Sequence, residues 1–493
     1  MNNILVFPMV LPLITGVILI FLRPFIKLQR WVTFGVMAVN TGISLYILQK
    51  IQKDGILRLD FGGWEPPFGI LFVGDSFSLL LVLTASIVTA IILLYAFHSL
   101  DAAREKMYFY PLVNFLVAGV IGSFLTGDLF NLFVFFEVML LSSYALVSLG
   151  GSKMQLKHGI IYMTINVVSS WMFLIAIAYL YGTVGTLNLA HISQRIAESG
   201  QTPILTVISI LFLIVFSLKA GLVLYQWLPG SYSAPPAVIG ALFGALLTKV
   251  GIYALYRMFT LVFYHEPAIT HTLIGIMAGV TLIGGSIGAI AYNDIRKVIT
   301  YNVVIAVGFI LVGLAVLTPA AVEGAVIYLV HDIIIKALLF LVGGTMIYLT
   351  GTARIENMSG LIRNYPMLGW IFFITMLSLA GVPPLSGFLG KVLVGQGAAE
   401  TGSYLLLALA FLSSLAVLYS LLRIFLNAFW GETIISEEDE IPLRKGRLVP
   451  LVVFTLGTIA LGLGVESIAV YASDAANVLL NPDIYIDAVM NDN

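Results

Sequence analysis

Ser217-Leu218-Lys219-Ala220-Gly221, followed by Leu228-Pro229-Gly230, interrupts one long apolar run. Ser378-Leu379-Ala380-Gly381-Val382-Pro383-Pro384, followed by Gly387-Phe388-Leu389-Gly390-Lys391, interrupts another. Proline removes a backbone donor and clashes with the preceding turn. A helix broken inside lipid leaves carbonyls that water, ions or protein must satisfy, so such breaks line cavities and do not face hydrocarbon. Gly221, Pro229, Gly381, Pro383 and Pro384 are therefore the expected helix breaks. A simple packing kink is the plainer reading of either run. The two runs share a Ser-Leu-(Lys)-Ala-Gly string, which makes each a candidate copy of the other.

The rest of the 493 residues make a membrane the only suitable solvent. Hydrophobic residues are 60% and charged residues 10% of the chain, and mean hydropathy is +1.04. A soluble domain carries about 25% charge. The net charge of −1 gives no electrostatic footprint for nucleic acid. Absence of Cys excludes thiolate metal sites, iron–sulfur ligation and disulfides. No loop carries a metal-ligand set or a nucleophile–base set, so neither cofactor nor metal is expected. The first apolar stretch, Ile4 to Phe21, has no basic n-region or small-residue cleavage site and reads as a retained span.

A hydrocarbon core of about 30 Å needs about 20 apolar helical residues. That rule yields an all-α polytopic protein of fourteen spans, near 4–22, 31–49, 73–97, 108–126, 129–149, 159–181, 204–228, 236–261, 271–292, 298–318, 323–349, 367–398, 403–429 and 449–471. With the N-terminus outside, the inside loops hold Arg23, Lys27, Arg30, Arg104, Lys106, Lys153, Lys157, Arg296, Lys297, Arg354, Arg363, Arg444, Lys445 and Arg447. The outside loops hold only Lys50, Lys53, Arg58 and Arg195. The positive-inside rule then places both termini outside the cytoplasm. Residues 50–72, alternating at Leu57-Arg58-Leu59-Asp60-Phe61, suit a short strand. Residues 186–200 suit an amphipathic helix on the membrane surface. The acidic end, Asp474 to Asn493, reads as a solvated tail.

The two broken spans are the seventh and the twelfth. They lie five apart, and an odd offset turns the second copy upside down. The implied organisation is spans 1–3 over residues 1–107, an inverted pair of five-helix repeats over 108–261 and 271–430, and a last segment over 431–493. Ion-coupled transporters are often built so. The copies have diverged. Lys219 precedes its break while Lys391 follows its own, and span 10 has no acid to match Glu137.

Ionisable residues inside the spans carry the functional reading. Glu137, Lys219, Lys249, His331, Asp332, Lys336 and Lys391 all fall in apolar runs. A charge at the centre of a membrane helix costs roughly 2.5–3.5 kcal/mol. Several such costs rival the stability of a whole domain, about 5–15 kcal/mol, so these groups must face one another and a hydrated interior. At about 1.5 Å per residue, Glu137, Lys219, Lys249 and Lys336 all sit within roughly 10 Å of the midplane. Charges on several helices at one depth suggest a lateral path reached by half-channels from either face. Burial favours the neutral form of both an ammonium and a carboxylate, which is where a proton can move either way. Glu137 and Lys219 are the expected modulating pair, with Lys249, Lys336 and Lys391 carrying the proton onward.

Plainer readings stand beside these. Lys219 or Lys249 snorkels to the interface; Glu137 only locks a lysine; His331 is a satisfied core histidine. Asp332 and Lys336, four apart on one helix face, neutralise each other. Arg257 and Arg423, near helix ends, are expected to snorkel.

Four motifs resemble a known family. They are Phe135-Phe136-Glu137-Val138-Met139-Leu140-Leu141-Ser142-Ser143-Tyr144; Ser231-Tyr232-Ser233-Ala234-Pro235-Pro236 before Leu247-Thr248-Lys249-Val250-Gly251; Lys336-Ala337-Leu338-Leu339-Phe340; and Pro383-Pro384-Leu385-Ser386-Gly387-Phe388. In this order they are similar to the antiporter-like membrane subunits, which include the large subunits of Mrp-type sodium/proton antiporters and the proton-pumping membrane subunits of complex I. The likeness covers nearly the whole chain. It implies fourteen helices, two inverted five-helix bundles, a buried Glu137–Lys219 pair, a connecting Lys249, a polar span 11 and an exit at Lys391. The family often carries His four residues before the span-11 lysine; here that position is Asp332, with His331 beside it. Absence of a long C-terminal extension and of a terminal lateral helix implies a place among the shorter members.

The expectation is a proton-translocating subunit of a multisubunit monovalent cation (Na+)/proton antiporter in a bacterial plasma membrane. Its partners would be other membrane subunits of the complex, the lipid bilayer, protons and Na+. The rival is a proton-pumping subunit of a complex I or membrane-bound hydrogenase assembly. A membrane-embedded enzyme and a stand-alone permease are the remaining alternatives.

Overall fold

The computed structural model describes residues 3–491 except 201, 434, 436, 437 and 439. Among the described residues, twelve helices are long and apolar enough to cross a membrane: Asn3–Phe21, Ile26–Asp54, Ser76–Ser99, Leu129–Val147, Lys153–Val184, Pro203–Ala220, Ala237–Leu261, Pro267–Ala291, Ile295–Val316, Pro319–Thr350, Tyr404–Phe429 and Lys445–Leu463. Two shorter apolar helices, Phe109–Leu125 and Pro366–Ala380, take the places of spans 4 and 12. The chain is an all-helical, multi-pass membrane protein. Spans are numbered below in this chain order.

Span 7 ends at Ala220, where Gly221 takes φ 79°. The chain then runs irregularly to a short helix, Leu228–Ser233. Pro229 lies in the first turn of that helix, where a missing N–H costs nothing. It opens a helix instead of breaking one, so the break belongs to Gly221. Span 12 ends likewise at Gly381, φ 86°. Pro383 and Pro384 fill the turn, and the helix resumes over Gly387–Glu400. The left-handed region costs a Cβ-bearing residue about 1–2 kcal/mol, which explains glycine at both stops.

The two halves share their cap chemistry. Asp128 and Asp294 cap the starts of spans 5 and 10, accepting from Asn131 N (2.8 Å) and Arg296 N (2.8 Å). Ser152 and Thr318 cap spans 6 and 11, and both of those helices have 32 residues. Both end on a left-handed glycine, Gly185 and Gly351. The span 5 and 10 starts are each tied by an isolated antiparallel bridge, Asp128 to Asn188 and Asp294 to Arg354. The offset is constant at 166 residues (294 − 128, 318 − 152, 351 − 185, 354 − 188). The bridges lie five spans apart, hence on opposite faces of the membrane.

Span 8 is buried from Val238 to Leu261 and span 11 over most of its length, so the two helices that carry Lys249 and Asp332 form the centre. Span 8 holds one turn of π-helix, Phe243–Leu247, immediately before Thr248. Close helix contacts depend on glycine. A Cβ on Gly251 would meet Ala220 N at 2.6 Å, which brings spans 7 and 8 together beside Lys219 and Lys249. A Cβ on Gly240 would meet Phe340 Cδ1 at 2.9 Å, which does the same for spans 8 and 11.

On the face opposite the basic loops, Leu57–Asp60 (β1) pairs antiparallel with Leu71–Gly74 (β2), as the alternation suggests. The helix Leu189–Ser199 buries Leu189, Ile192 and Ile196; its apolar side is taken up by the protein's own core. The C-terminal region differs from expectation. Span 14 stops at Leu463, short of residue 471, and two more helices follow, Glu466–Leu480 and Pro482–Met490. Residues 474–491 are folded onto the protein, not a solvated tail. Ala472, Ala475, Ala476, Val478 and Leu479 form a buried stripe, and Asp474 accepts a hydrogen bond from Ser76. Asp492 and Asn493, also assigned to that tail, lie outside the described residues.

Candidate proton path

The seven ionisable side chains expected to face one another fall into three groups. The first joins spans 5, 6 and 7. Glu137, half-buried, accepts a hydrogen bond from Ser170 Oγ. Lys219 Nζ donates to the same Ser170 Oγ at 3.2 Å. Glu137 and Lys219 are thus associated through a hydroxyl. Phe136, next to Glu137, presents its ring 5.1 Å from Lys219 Nζ. Lys219 is 4% exposed and sits two residues before the Gly221 stop, so it is anchored in mid-protein and does not snorkel.

The second group joins spans 8 and 11. Lys249, fully buried, forms an ion pair with Asp332 Oδ2 at 2.7 Å. It also donates to Gly244 O at 2.6 Å, a carbonyl inside the π-turn. Lys336 Nζ approaches Asp332 Oδ1 at 3.4 Å. Asp332 is therefore shared, and its shorter contact is to the other repeat's lysine. The expectation that Asp332 and Lys336 simply neutralise each other is corrected: one carboxylate faces two ammonium groups. An i,i+4 spacing reveals the partner on the same helix but not one arriving from a crossing helix.

The third group lies at the span 12 break. Lys391 Nζ donates to Leu379 O (2.8 Å) and Ala380 O (3.0 Å), carbonyls left without helical partners where the helix stops. The rings of Tyr328 and Phe309 each lie 5.8 Å from its ammonium. His331 Nδ1 bonds Ser386 Oγ at 2.7 Å, and Ser386 Oγ lies 3.2 Å from Ser378 Oγ. His331 Nε2 has no hydrogen-bond partner, so this histidine is only half satisfied. Its ring packs 5.2 Å from Tyr328, the same ring that Lys391 approaches at 5.8 Å.

Of the two arginines expected to snorkel, Arg257 is engaged in the interior instead, while partly exposed Arg423 bonds carbonyls at a helix end. Arg257 is 4% exposed and pairs with Asp75 at 2.6 Å. Arg423 donates to Ile290 O at 2.8 Å and to Tyr292 O, closing the end of span 9. Sequence reasoning alone does not single out Ser170, Ser386 or Asp75. The only signal for Ser170 is a Ser-Ser pair within an apolar run.

On the basic-loop face a cavity of about 320 Å³ is lined by Arg104, Gln155, Tyr232, Ser233, Arg296 and Phe340, among others. Phe340 lies one turn from Lys336 on span 11, so this polar vestibule reaches close to the second group.

The family model described as NADH:quinone oxidoreductase/Mrp antiporter, TM, matches residues 126–422. The chain is 48% identical to the D subunit of the Na(+)/H(+) antiporter of Bacillus subtilis, covering 100% of both chains. It is 44% identical to the D subunit of the Na(+)/H(+) antiporter of Alkalihalophilus pseudofirmus, again over 100% of both. A chain in the structure of the Mrp complex from a Dietzia species aligns with TM-score 0.92 at 28% identity, covering 100% of each. A chain of respiratory complex I from Thermus thermophilus aligns with TM-score 0.84 at 23% identity, covering 97% of this chain and 100% of that one. The last likeness speaks for the fold alone.

Proposed function

Because the chain belongs to the NADH:quinone oxidoreductase/Mrp antiporter membrane family, we propose that it is the D subunit of a multisubunit Na+/H+ antiporter, a transporter component and not an enzyme. Full-length identity to two antiporter D subunits supports this over the complex I or hydrogenase alternative. Within it, protons move along Glu137, Lys219, Lys249, Asp332, Lys336 and Lys391, with His331 beside the path. The single observation that carries this reading is the Lys249–Asp332 pair. It ties a lysine of the first repeat to the acid of the second across spans 8 and 11, so the buried charges of the two repeats meet. A proton leaving Lys249 weakens its hold on Asp332, which then turns to Lys336; each transfer changes the affinity of the next group. The vestibule near Phe340 serves as the entry from the basic-loop face, and Lys391 serves the far end.

The positive-inside bias makes that face cytoplasmic, with both termini outside, in a bacterial plasma membrane. The cation site is assigned to another member of the complex. Glu137→Ala and Lys219→Ala are expected to abolish antiport in membrane vesicles while the complex still assembles. Retained antiport by an assembled variant removes that residue from the path. Iron–sulfur or flavin subunits purifying with the chain would shift the assignment to the redox-driven alternative.

A further inference from the structure

One buried charge cluster stands apart from the path. Lys249, Tyr253 and Arg257 are spaced four residues apart on span 8, so they share one face at steps of about 6 Å. At the end away from the basic loops, Arg257 Nη2 pairs with Asp75 Oδ2 at 2.6 Å, and Asp75 is completely buried. Tyr253 Oη accepts from Arg257 Nε (3.3 Å) and Nη2 (3.2 Å), and donates to Phe124 O (2.7 Å). The rings of Phe77, Tyr253 and Tyr485 lie 5.7, 5.3 and 4.9 Å from the guanidinium carbon. Tyr485 belongs to the last helix, Pro482–Met490. That helix is tied down by Arg58 Nη1 donating to Val489 O at 2.7 Å, and the helix before it by Asp474 on Ser76.

We propose that the Asp75–Arg257 pair is a proton-accepting site at the outer end of span 8, reached from Lys249 and covered by the C-terminal helices. The inference rests on Lys249 being a relay. Stability alone is a poor reason for this pair, since buried ion pairs are often matched by apolar packing of the same volume. Asp75 also caps span 3, accepting from Ser78 N at 2.8 Å, but Asn caps as well as Asp. The cap therefore needs no charge, and the line from Lys249 to Arg257 gives the charge a use. Arg257 keeps its proton throughout. A proton arriving from the Lys249 side binds an Asp75 carboxylate oxygen, and the neutral acid loosens its hold on Arg257. The proton then leaves past Tyr485 to outer water, restoring the carboxylate and the pair. The charged and titratable groups facing Asp75 are Arg257 and Tyr253 of span 8 and Tyr485 of the last helix. Asp474 and the Arg58–Asp60 pair lie next to them.

The test uses the assembled complex in vesicles, with the double variant Asp75→Asn/Arg257→Gln, Lys249→Ala and the parent compared from neutral to alkaline pH. The double variant keeps the cap and leaves no unpaired charge. Its antiport rate is expected to fall about tenfold or more with a displaced pH profile, the scale of a lost proton relay. A rate within about twofold of the parent, with the same pH profile, makes the pair structural and overturns the proposal. If the double variant does not assemble, Tyr253→Phe decides, since it keeps the ring and the ion pair and removes only the hydroxyl. A displaced profile supports the site, and an unchanged one overturns it. Loss of antiport in Lys249→Ala alongside a normal double variant sinks this inference alone. Normal antiport in Lys249→Ala sinks the path on which it rests.

Discussion

The two five-helix repeats have the same scaffold and different charges. Displacing repeat A by 166 residues puts Tyr162 on Tyr328, Asn166 on Asp332, Ser170 on Lys336 and Glu137 on Val303. In repeat A the acid is on span 5, and a serine on span 6 connects it to the lysine before the break. In repeat B span 11 supplies both acid and lysine, and the lysine after the break holds the stranded carbonyls itself. Caps and left-handed glycines are retained because they serve backbone geometry, which both copies share. The charges differ as the proposed path requires, each copy carrying a different part of it, and Lys249–Asp332 is where the two copies touch.

If that meeting point matters as much as its geometry suggests, Asp332→Asn is the largest perturbation available. It leaves two buried ammonium groups facing an amide. Breaking one partner of a buried pair costs about 3–5 kcal/mol. Antiport in vesicles should vanish, and the purified complex should melt earlier in a thermal-unfolding scan. The counterpart change in repeat A, Asn166→Ala, removes a side chain whose amide donates to Tyr162 O, at 2.9 Å, and should cost far less. Equal losses at the two positions would mean the repeats carry charge in the same way.

Gly221→Ala and Gly381→Ala test the shared scaffold. Each forces a Cβ into left-handed backbone at about 1–2 kcal/mol. At Gly381 the new Cβ would also meet Lys391 Cδ at 2.8 Å, whereas at Gly221 it meets Leu228 Cδ1 at 2.9 Å. Both variants should lower thermal stability by similar amounts. Only Gly381→Ala should also slow antiport strongly, because it presses on a member of the path.

Much of this was legible in the residues. Span count follows from the length of apolar runs, and the breaks follow from Gly and Pro in mid-run. The buried lysines stand out because an ammonium in hydrocarbon has no other excuse. What was hidden is what depends on how helices rotate against each other. Nothing in the spacing of Asp332 says that Lys249 arrives from span 8, and nothing near Arg257 announces Asp75, 182 residues earlier. Ser170 was obscured by size, since a hydroxyl in a helix normally satisfies itself on its own backbone. The C-terminal region misled because its acidic residues outweighed a narrow stripe of alanines in the residue count, although a buried face needs only such a stripe.

Ser170→Ala asks whether the hydroxyl in repeat A does what direct pairing does in repeat B. The change deletes both the bond to Glu137 and the bond to Lys219 while leaving both charges in place. Water can re-enter around half-buried Glu137, so the loss should be partial, on the order of tenfold in antiport rate, well below the roughly 1.5–3 kcal/mol that each of two hydrogen bonds to a charged group is worth. Ser170→Thr, which keeps a hydroxyl, should recover most of it. A Ser170→Ala complex with the parent's rate would show that Glu137 and Lys219 communicate through the field alone.

His331 offers the smallest and most discriminating change. Its Nδ1 is bonded to Ser386 and its Nε2 is not bonded at all, so His331→Gln can keep one hydrogen bond while removing the titratable ring. The net value of that bond is about 0.5–1.5 kcal/mol, and a glutamine that preserves it should leave thermal stability almost unchanged. If the ring only fills space between Tyr328 and the break, antiport should also be unchanged across pH. If the ring passes protons between Asp332 and Lys391, the rate should fall several-fold with stability intact, and His331→Ala should fall further by losing the Ser386 contact as well. Repeat A has Ile165 at the equivalent position, so a rate loss here would mark a step that repeat B performs and repeat A does not.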